Sequence, residues 1–276
     1  MKRLTAFICV TCGTQYPPSN TPPARCQICE DDRQYVNWQG QQWTAMDQLG
    51  TGHRNVSRDE EPGLTGIGTE PEFAIGQRAL LVQTAQGNIL WDSISYLDDA
   101  TIEAVRGLGG ISVITISHPH FYSSMVEWAR AFDAPIRLHA ANREFVMRSD
   151  AAIEYWEGDT LALNSEVTLI RCGGHFPGST VLHWAAGAGG RGVLLTGDTI
   201  YVVSDRRYAS FMFSYPNLIP LPGSAVRGII SAIEPFAFDR LYGAWSERVI
   251  RQDAKQAVNR SAQRYIRAIQ ERTHDA

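Results

Sequence analysis

Four of the chain's five cysteines stand as two tight pairs, Cys9-x-x-Cys12 and Cys26-x-x-Cys29, with 13 residues between the pairs. Thiolates two residues apart converge on one ion, and two such knuckles suit one tetrahedral Zn²⁺ in a closed, structural site. Two redox dithiols are the competing reading, and the doubled spacing fits them less well. Reduced thiolates belong to a reducing compartment, so a cytoplasmic protein is expected. The fifth cysteine, Cys172, stands alone before Gly173 and reads as a small core residue rather than a nucleophile.

A second set of donors is spread along the chain. His118-Pro119-His120 follows directly on the run Ile111 to Ser117. Two histidines one residue apart at a strand end turn both imidazoles toward one ion, with Pro119 restricting the loop between them. Taken alone, such a pair suits a hydrogen-bonded core or surface at least as well. His175 lies in the glycine-rich stretch Gly173-Gly174-His175-Phe176-Pro177-Gly178, and Asp198 closes Thr196-Gly197-Asp198 at the end of another apolar run. His53, His139 and His183 have no partner at metal-ligand spacing, and His274 falls in the tail.

In this order the blocks resemble the metallo-β-lactamase superfamily, whose pattern is His-x-His-x-Asp-His, then Gly-His-x-Pro-Gly, then Gly-Asp, then a histidine near the last strand. The resemblance runs from about Ile75 to the C-terminus, and Gly-His-Phe-Pro-Gly and Thr-Gly-Asp are its most specific parts. It implies an α/β (α+β) fold, the αββα sandwich, with a metal in a cleft at one edge of the two sheets. His118, His120, His175 and Asp198 match its ligand positions.

Two departures matter. Tyr122-Ser123 replaces the Asp-His pair, and Leu241-Tyr242-Gly243-Ala244-Trp245 resembles the family's final block without its histidine. In binuclear members those positions hold the second metal, so a mononuclear site is expected, with Zn²⁺ or Fe²⁺ and a water in an open position. Glu247 or Asp205 would have to supply ligands for a second ion. Tyr122 is a candidate catalytic residue beside Asp198, donating a hydrogen bond to substrate; the other reading is an aromatic that fills the vacated position. Trp245 reads as packing.

The elements that must position these groups follow from periodicity. Ala79 to Gln83 and Asn88 to Asp92 read as a hairpin through Ala85-Gln86-Gly87. Asp98-Asp99 caps a helix that ends at Gly109-Gly110, and Ser123-Ser124 opens another whose Met125, Trp128, Ala129 and Phe132 share a face. Strands are expected at Ile136 to His139, Val167 to Cys172, Val181 to Trp184, Val193 to Leu195 and near Leu241, with helices from Ser224 to Ile233 and from Asp253 to about Arg272. The domains are expected as 1–48, a zinc ribbon or knuckle without a core of its own; 49–74, a linker or covering loop; and 75–276, the metallo-β-lactamase-like domain. The apolar, proline-bounded stretch Ser210 to Pro220 suits a cleft wall, a subunit interface or buried core.

Bulk properties exclude several classes. Of the 276 residues 44% are hydrophobic and 20% charged, which is ordinary for a globular protein. A net charge of −4 gives no summed positive field for phosphate backbones, which argues against nucleic acid as partner. No apolar run is long enough to span a membrane, and the first residues lack the apolar core of a secretory signal. The expected activity is hydrolysis of a small ester, thioester or lactone by a metal-activated water, with Asp198 as ligand or base. Iron-dependent oxidation and a non-catalytic metal-binding scaffold are the alternatives.

Overall fold

The computed structural model describes residues 4–270. Met1-Lys2-Arg3, the expected helix end at Arg272, and His274 lie outside the described residues. The chain divides into two compact units, Met1–Trp156 and Glu157–Ala276.

The first unit is built on a seven-stranded sheet. Ahead of it stand a two-stranded pair, β1 (Ile8–Cys9) and β2 (Trp43–Thr44), and the short helix α1 (Met46–Leu49). The sheet follows chain order: β3 (Arg54–Glu61), β4 (Leu64–Glu70), β5 (Ala79–Val82), β6 (Ile89–Trp91), β7 (Val113–Thr115), β8 (Ile136–His139) and β9 (Ile153–Trp156). Pairing is antiparallel from β3 to β6 and parallel from β6 to β9. Parallel neighbours need a crossover, supplied by α2 (Asp99–Gly107) between β6 and β7 and by α3 (Met125–Phe132) between β7 and β8. The Asp98 carboxylate caps α2 by accepting from the Thr101 amide at 2.8 Å. In α3, Met125, Val126, Trp128 and Ala129 are buried, the apolar stripe expected of an amphipathic helix.

Residues 49–74, expected as a linker or covering loop, carry the strands β3 and β4. Their strands hide in the sequence because β3, Arg-Asn-Val-Ser-Arg-Asp-Glu-Glu, is an edge strand with many exposed charges, which blunt further pairing. The hairpin turns through Pro62-Gly63, with Glu61 opposite Leu64. Glu60 and Arg78 form a buried ion pair over Gly66, where any side chain would collide with the Glu60 carboxylate.

The second unit carries a six-stranded sheet in the order β10 (Thr160–Ala162), β11 (Val167–Arg171), β12 (Thr180–Trp184), β13 (Val193–Leu195), β18 (Arg240–Tyr242), β19 (Val249–Ile250). Between β12 and β13 lies the short α4 (Gly187–Gly190), and between β13 and β18 come two small pairs and a helix. The pairs are β14 (Tyr201–Val202) with β15 (Ala209–Ser210) and β16 (Met212–Ser214) with β17 (Ile219–Pro220); the helix is α5 (Gly223–Ile233). The last helix, α6 (Ala254–Gln270), turns Ala254, Ala257, Val258 and Ala262 inward against Val202, Phe211, Val226 and Ile229. Only β13 and β18 run parallel, so both deliver their C-terminal ends to the same edge. No helix among the described residues is long and apolar enough to cross a membrane.

Candidate metal centres

The four expected cysteines come together in the first unit. All are buried, with Cys9–Cys29 and Cys12–Cys26 Sγ separations of 3.6 Å and all four sulfurs within 4.8 Å of one another. A tetrahedron of zinc–sulfur bonds has sulfur edges of about 3.8 Å. The donor set therefore fits a closed Zn²⁺ site. Gly13, at φ +79°, closes the first knuckle, and its amide reaches the Cys9 carbonyl at 2.8 Å. The Gln41 side-chain amide donates to the Cys9 sulfur at 3.2 Å, and Tyr16 Oη points at Cys26 at 3.5 Å. Tyr16, Ile28 and Trp43 pack round the cluster, with Tyr16 edge-on to Trp43.

The cysteine segment is fastened to the sheet loops of its own unit. Ser95 Oγ donates to the Gly13 carbonyl at 2.9 Å, and a Cβ at Gly13 would lie 2.4 Å from that hydroxyl. The Gln15 amide donates to the Ser123 carbonyl at 3.1 Å, directly behind the histidine motif.

That motif leaves β7 early. The ladder stops at Thr115 rather than Ser117, because the Ser117 amide turns to the Asp92 carboxylate at 2.8 Å. Asp92 ends β6 in the left-handed region at φ +63°. Burial pushes its carboxyl up to about 7, against the opposing pull of the Ser117 hydrogen bonds. His118 is fully buried and fully extended, and Pro119–Phe121 forms one turn of 3₁₀ helix that brings His120 beside it, the rings 5.2 Å apart. Ser117 Oγ holds His118 Nδ1 at 2.9 Å. That bond fixes the ring so that Nε2 is the atom through which it would hold a metal. Ser117 and Asp92 were missed by sequence reasoning; an acid closing the apolar run Ile89-Leu90-Trp91 was the available signal.

Tyr122 and Ser123 are spent inside the same unit. Tyr122 is 3% exposed, and burial pushes its phenol far up against an opposing pull from the Asn142 side chain. Tyr122 thus lies buried in the first unit, directly after the His118-Pro119-His120 motif. Ser123 Oγ accepts from Gln77 Nε2 at 3.0 Å, and Ser93 Oγ donates to the carbonyls of Phe121 and Tyr122.

In the second unit His175 and Asp198 meet. His175 Nε2 lies 3.9 Å from Asp198 Oδ1, and both side chains are buried. His175 Nδ1 is held by the Met212 carbonyl at 3.2 Å, which again directs Nε2 to the ligand position. Gly174, at φ +82°, is required: a Cβ there would lie 3.0 Å from Ile229 and 3.1 Å from Leu221. Asp198 sits just past β13, where the Ala244 amide donates to the Gly197 carbonyl at 3.0 Å and Tyr215 Oη to the Asp198 carbonyl at 2.5 Å. The stretch from Ser210 to Pro220 is thus a wall of this half-site, through Met212 and Tyr215.

The remaining groups fall elsewhere. Cys172 stands apart from both clusters, its thiol pushed up to about 12 by burial. His183 Nε2 bonds the Ala237 carbonyl at 2.7 Å. His139 Nδ1 accepts from the Ala141 amide at 3.1 Å, and His53 Nδ1 lies 3.2 Å from the Leu49 carbonyl. Glu247 pairs with Arg206 and Asp205 with Arg207, each at 2.8 Å, and Arg207 draws the Asp205 carboxyl down to about 2.

Comparison with known proteins agrees with this geometry. The uncharacterized protein YmaE of Bacillus subtilis (strain 168) is 49% identical over 265 residues, spanning 95% of this chain and 96% of that protein. Among solved structures, VMB-1 at pH 5.5 superposes with a TM-score of 0.57 at 12% identity, covering 76% of this chain and 95% of that one. A metallo-beta-lactamase of Cronobacter sakazakii with a HARLDQ motif gives 0.51 at 18% identity, covering 82% and 96%. Both show the fold. Residues 75–239 match the family model of the metallo-beta-lactamase superfamily. With its ordered histidine, glycine-histidine and glycine-aspartate blocks, its altered Tyr122-Ser123 positions and its four-cysteine N-terminus, the chain belongs to the metallo-beta-lactamase superfamily as a divergent member.

Proposed function

We propose that this protein is a metal-dependent hydrolase of small esters, thioesters or lactones, and that His118, His120, His175 and Asp198 hold one ion between them. The observation that carries the reading is the pair of locked imidazoles. Ser117 on His118 and the Met212 carbonyl on His175 each fix Nδ1, the arrangement that prepares a histidine as a metal ligand rather than a core donor. When bound, the metal supplies Lewis acidity toward a carbonyl oxygen and lowers the pKa of water.

The chain's residues do the rest. Asp198 presents a buried carboxylate 3.9 Å from His175 Nε2, as ligand or as acceptor of the proton released when water attacks. Tyr215 on the Asp198 carbonyl and the Ala244 amide on the Gly197 carbonyl fix the backbone from which the carboxylate projects. Tyr122, Ser123 and Trp245 offer a second ion no charge. Phosphodiesters, whose attacking and leaving oxygens favour two ions, are accordingly worse substrates than carboxylic esters.

The test is metal analysis of freshly purified protein followed by assay on a panel of esters, thioesters and lactones. Turnover that is lost on chelation, restored by Zn²⁺ or Fe²⁺ and lost in His175→Ala is expected. Absence of turnover across the panel with either metal loaded would overturn the hydrolase reading.

A further inference from the structure

Beyond His175 and Asp198 the second unit carries a continuous aromatic wall. Tyr215 lies 5.9 Å from the His175 ring and 4.8 Å from Tyr201, and Tyr201 lies 5.5 Å from Trp245, ring centre to ring centre. Over the Tyr201 ring sits the Arg248 guanidinium, 5.1 Å from its centre. All four side chains are half-buried, so the wall is neither core nor open surface. Among the described residues no acidic side chain pairs with Arg248, whereas Arg206 and Arg207 are paired with Glu247 and Asp205.

The position of this arginine is built rather than incidental. Parallel pairing of β13 and β18 sets the loop Gly243 to Arg248 beside Gly197-Asp198. Within it the Arg248 amide donates to the Trp245 carbonyl at 2.9 Å and the Gly243 amide to the Arg248 carbonyl at 2.8 Å. A Cβ at residue 243 would lie 3.2 Å from both the Arg248 Cβ and its carbonyl oxygen, so a side chain there would push Arg248 outward by a few tenths of an ångström. A guanidinium held over an aromatic face without a carboxylate partner is preorganised for a planar anion. The net charge of −4 gives anions no general attraction to this chain, so their selection must be local.

We infer that Tyr201, Tyr215, Trp245 and Arg248 form the substrate-recognition wall, selecting acyl compounds whose non-reacting part is apolar or aromatic and ends in an anion, carboxylate or phosphate. The inference rests on the hydrolase reading for its substrate class, but its test does not need turnover. The metal-loaded protein is titrated calorimetrically with phenylacetate, phenyl phosphate and the neutral benzyl alcohol. At least one anion binds about tenfold or more tighter than the alcohol, and the stronger of the two identifies carboxylate or phosphate. Arg248→Gln removes that preference while changing alcohol affinity less than about twofold, and Arg248→Lys retains part of it. Trp245→Ala weakens all three ligands by a similar factor, as loss of a stacking surface should. Equal binding of anions and alcohol by the unaltered protein would overturn the inference. So would an anion preference that survives in a folded Arg248→Gln protein, since the anion would then be held elsewhere. Arg248-dependent selection in a protein that hydrolyses nothing would sink hydrolysis alone.

Discussion

A metal ligand is only as good as the group behind it, and here the groups behind the histidines are of two kinds. His175 leans on a backbone carbonyl, which no substitution at Met212 removes, while His118 leans on the hydroxyl of Ser117. Ser117→Ala should therefore release the His118 ring and lower metal affinity by roughly 10- to 100-fold, read by competition with a chelator. Unchanged affinity would show that the serine does not orient the ligand. His183 makes a contrasting case, a buried histidine with no ligand role. Burial lowers its pKa below the usual 6.5, its Nε2 bonds Ala237, and Phe236 packs beside it. The native state thus binds fewer protons than the unfolded chain, so stability is full above about pH 6.5 and falls as pH drops below it. His183→Gln should flatten that part of an unfolding curve measured against pH; an unchanged slope would remove His183 as the cause. The candidate donors were legible because metal chemistry restricts side-chain type and order. Ser117 and Asp92 were not, since a hydroxyl or carboxylate becomes informative only once its partner is known.

At the scale of elements, the sequence located α2, α3, α5 and most inner strands, whose apolar spacing is forced by burial. It failed at β3, an edge strand whose exposed charges hide the alternation, and at β4, whose Gly66 and Gly68 interrupt the apolar pattern. That hairpin is secured by Arg78, whose side chain is 3% exposed against a Glu60 side chain 11% exposed. Arg78→Ala leaves a carboxylate buried without its partner and should cost about 3–5 kcal/mol, seen as a drop in Tm. A loss below about 1 kcal/mol would mean that Glu60 finds water. The four cysteines were legible as one converging donor set but not as a brace. Read from spacing alone, the cysteine knuckle is separable from the histidine site. Its Gly13 and Gln15 instead hold Ser95 and Ser123, the loops that frame His118 and His120. Cys9→Ser should lose the knuckle zinc and, in addition, raise hydrogen exchange in residues 118–124. Exchange confined to the cysteine segment would restore the view of two independent parts.

For the molecule as a whole the decisive quantity is how many metals it holds. The family positions that serve a second ion are each taken up otherwise: Tyr122 is buried, Ser123 bonds Gln77, and Trp245 lies edge-on against Tyr201. The acids Glu247 and Asp205, which alone among nearby sequence candidates would supply charge, are tied to Arg206 and Arg207. A second divalent ion would have to displace several of these bonds to gain only neutral oxygen and an indole N–H that cannot ligate. Fully loaded protein should thus contain about two metals per chain, one in the cysteine cage and one on the histidines and Asp198. His175→Ala should bring the count to about one, and the ion that remains should be the one released by thiol-reactive reagents. Tyr122→Asp combined with Ser123→His should raise the count little, because the third position still carries Trp245. A native preparation with about three metals per chain, two of them insensitive to thiol reagents, would replace the single-ion site with a binuclear one.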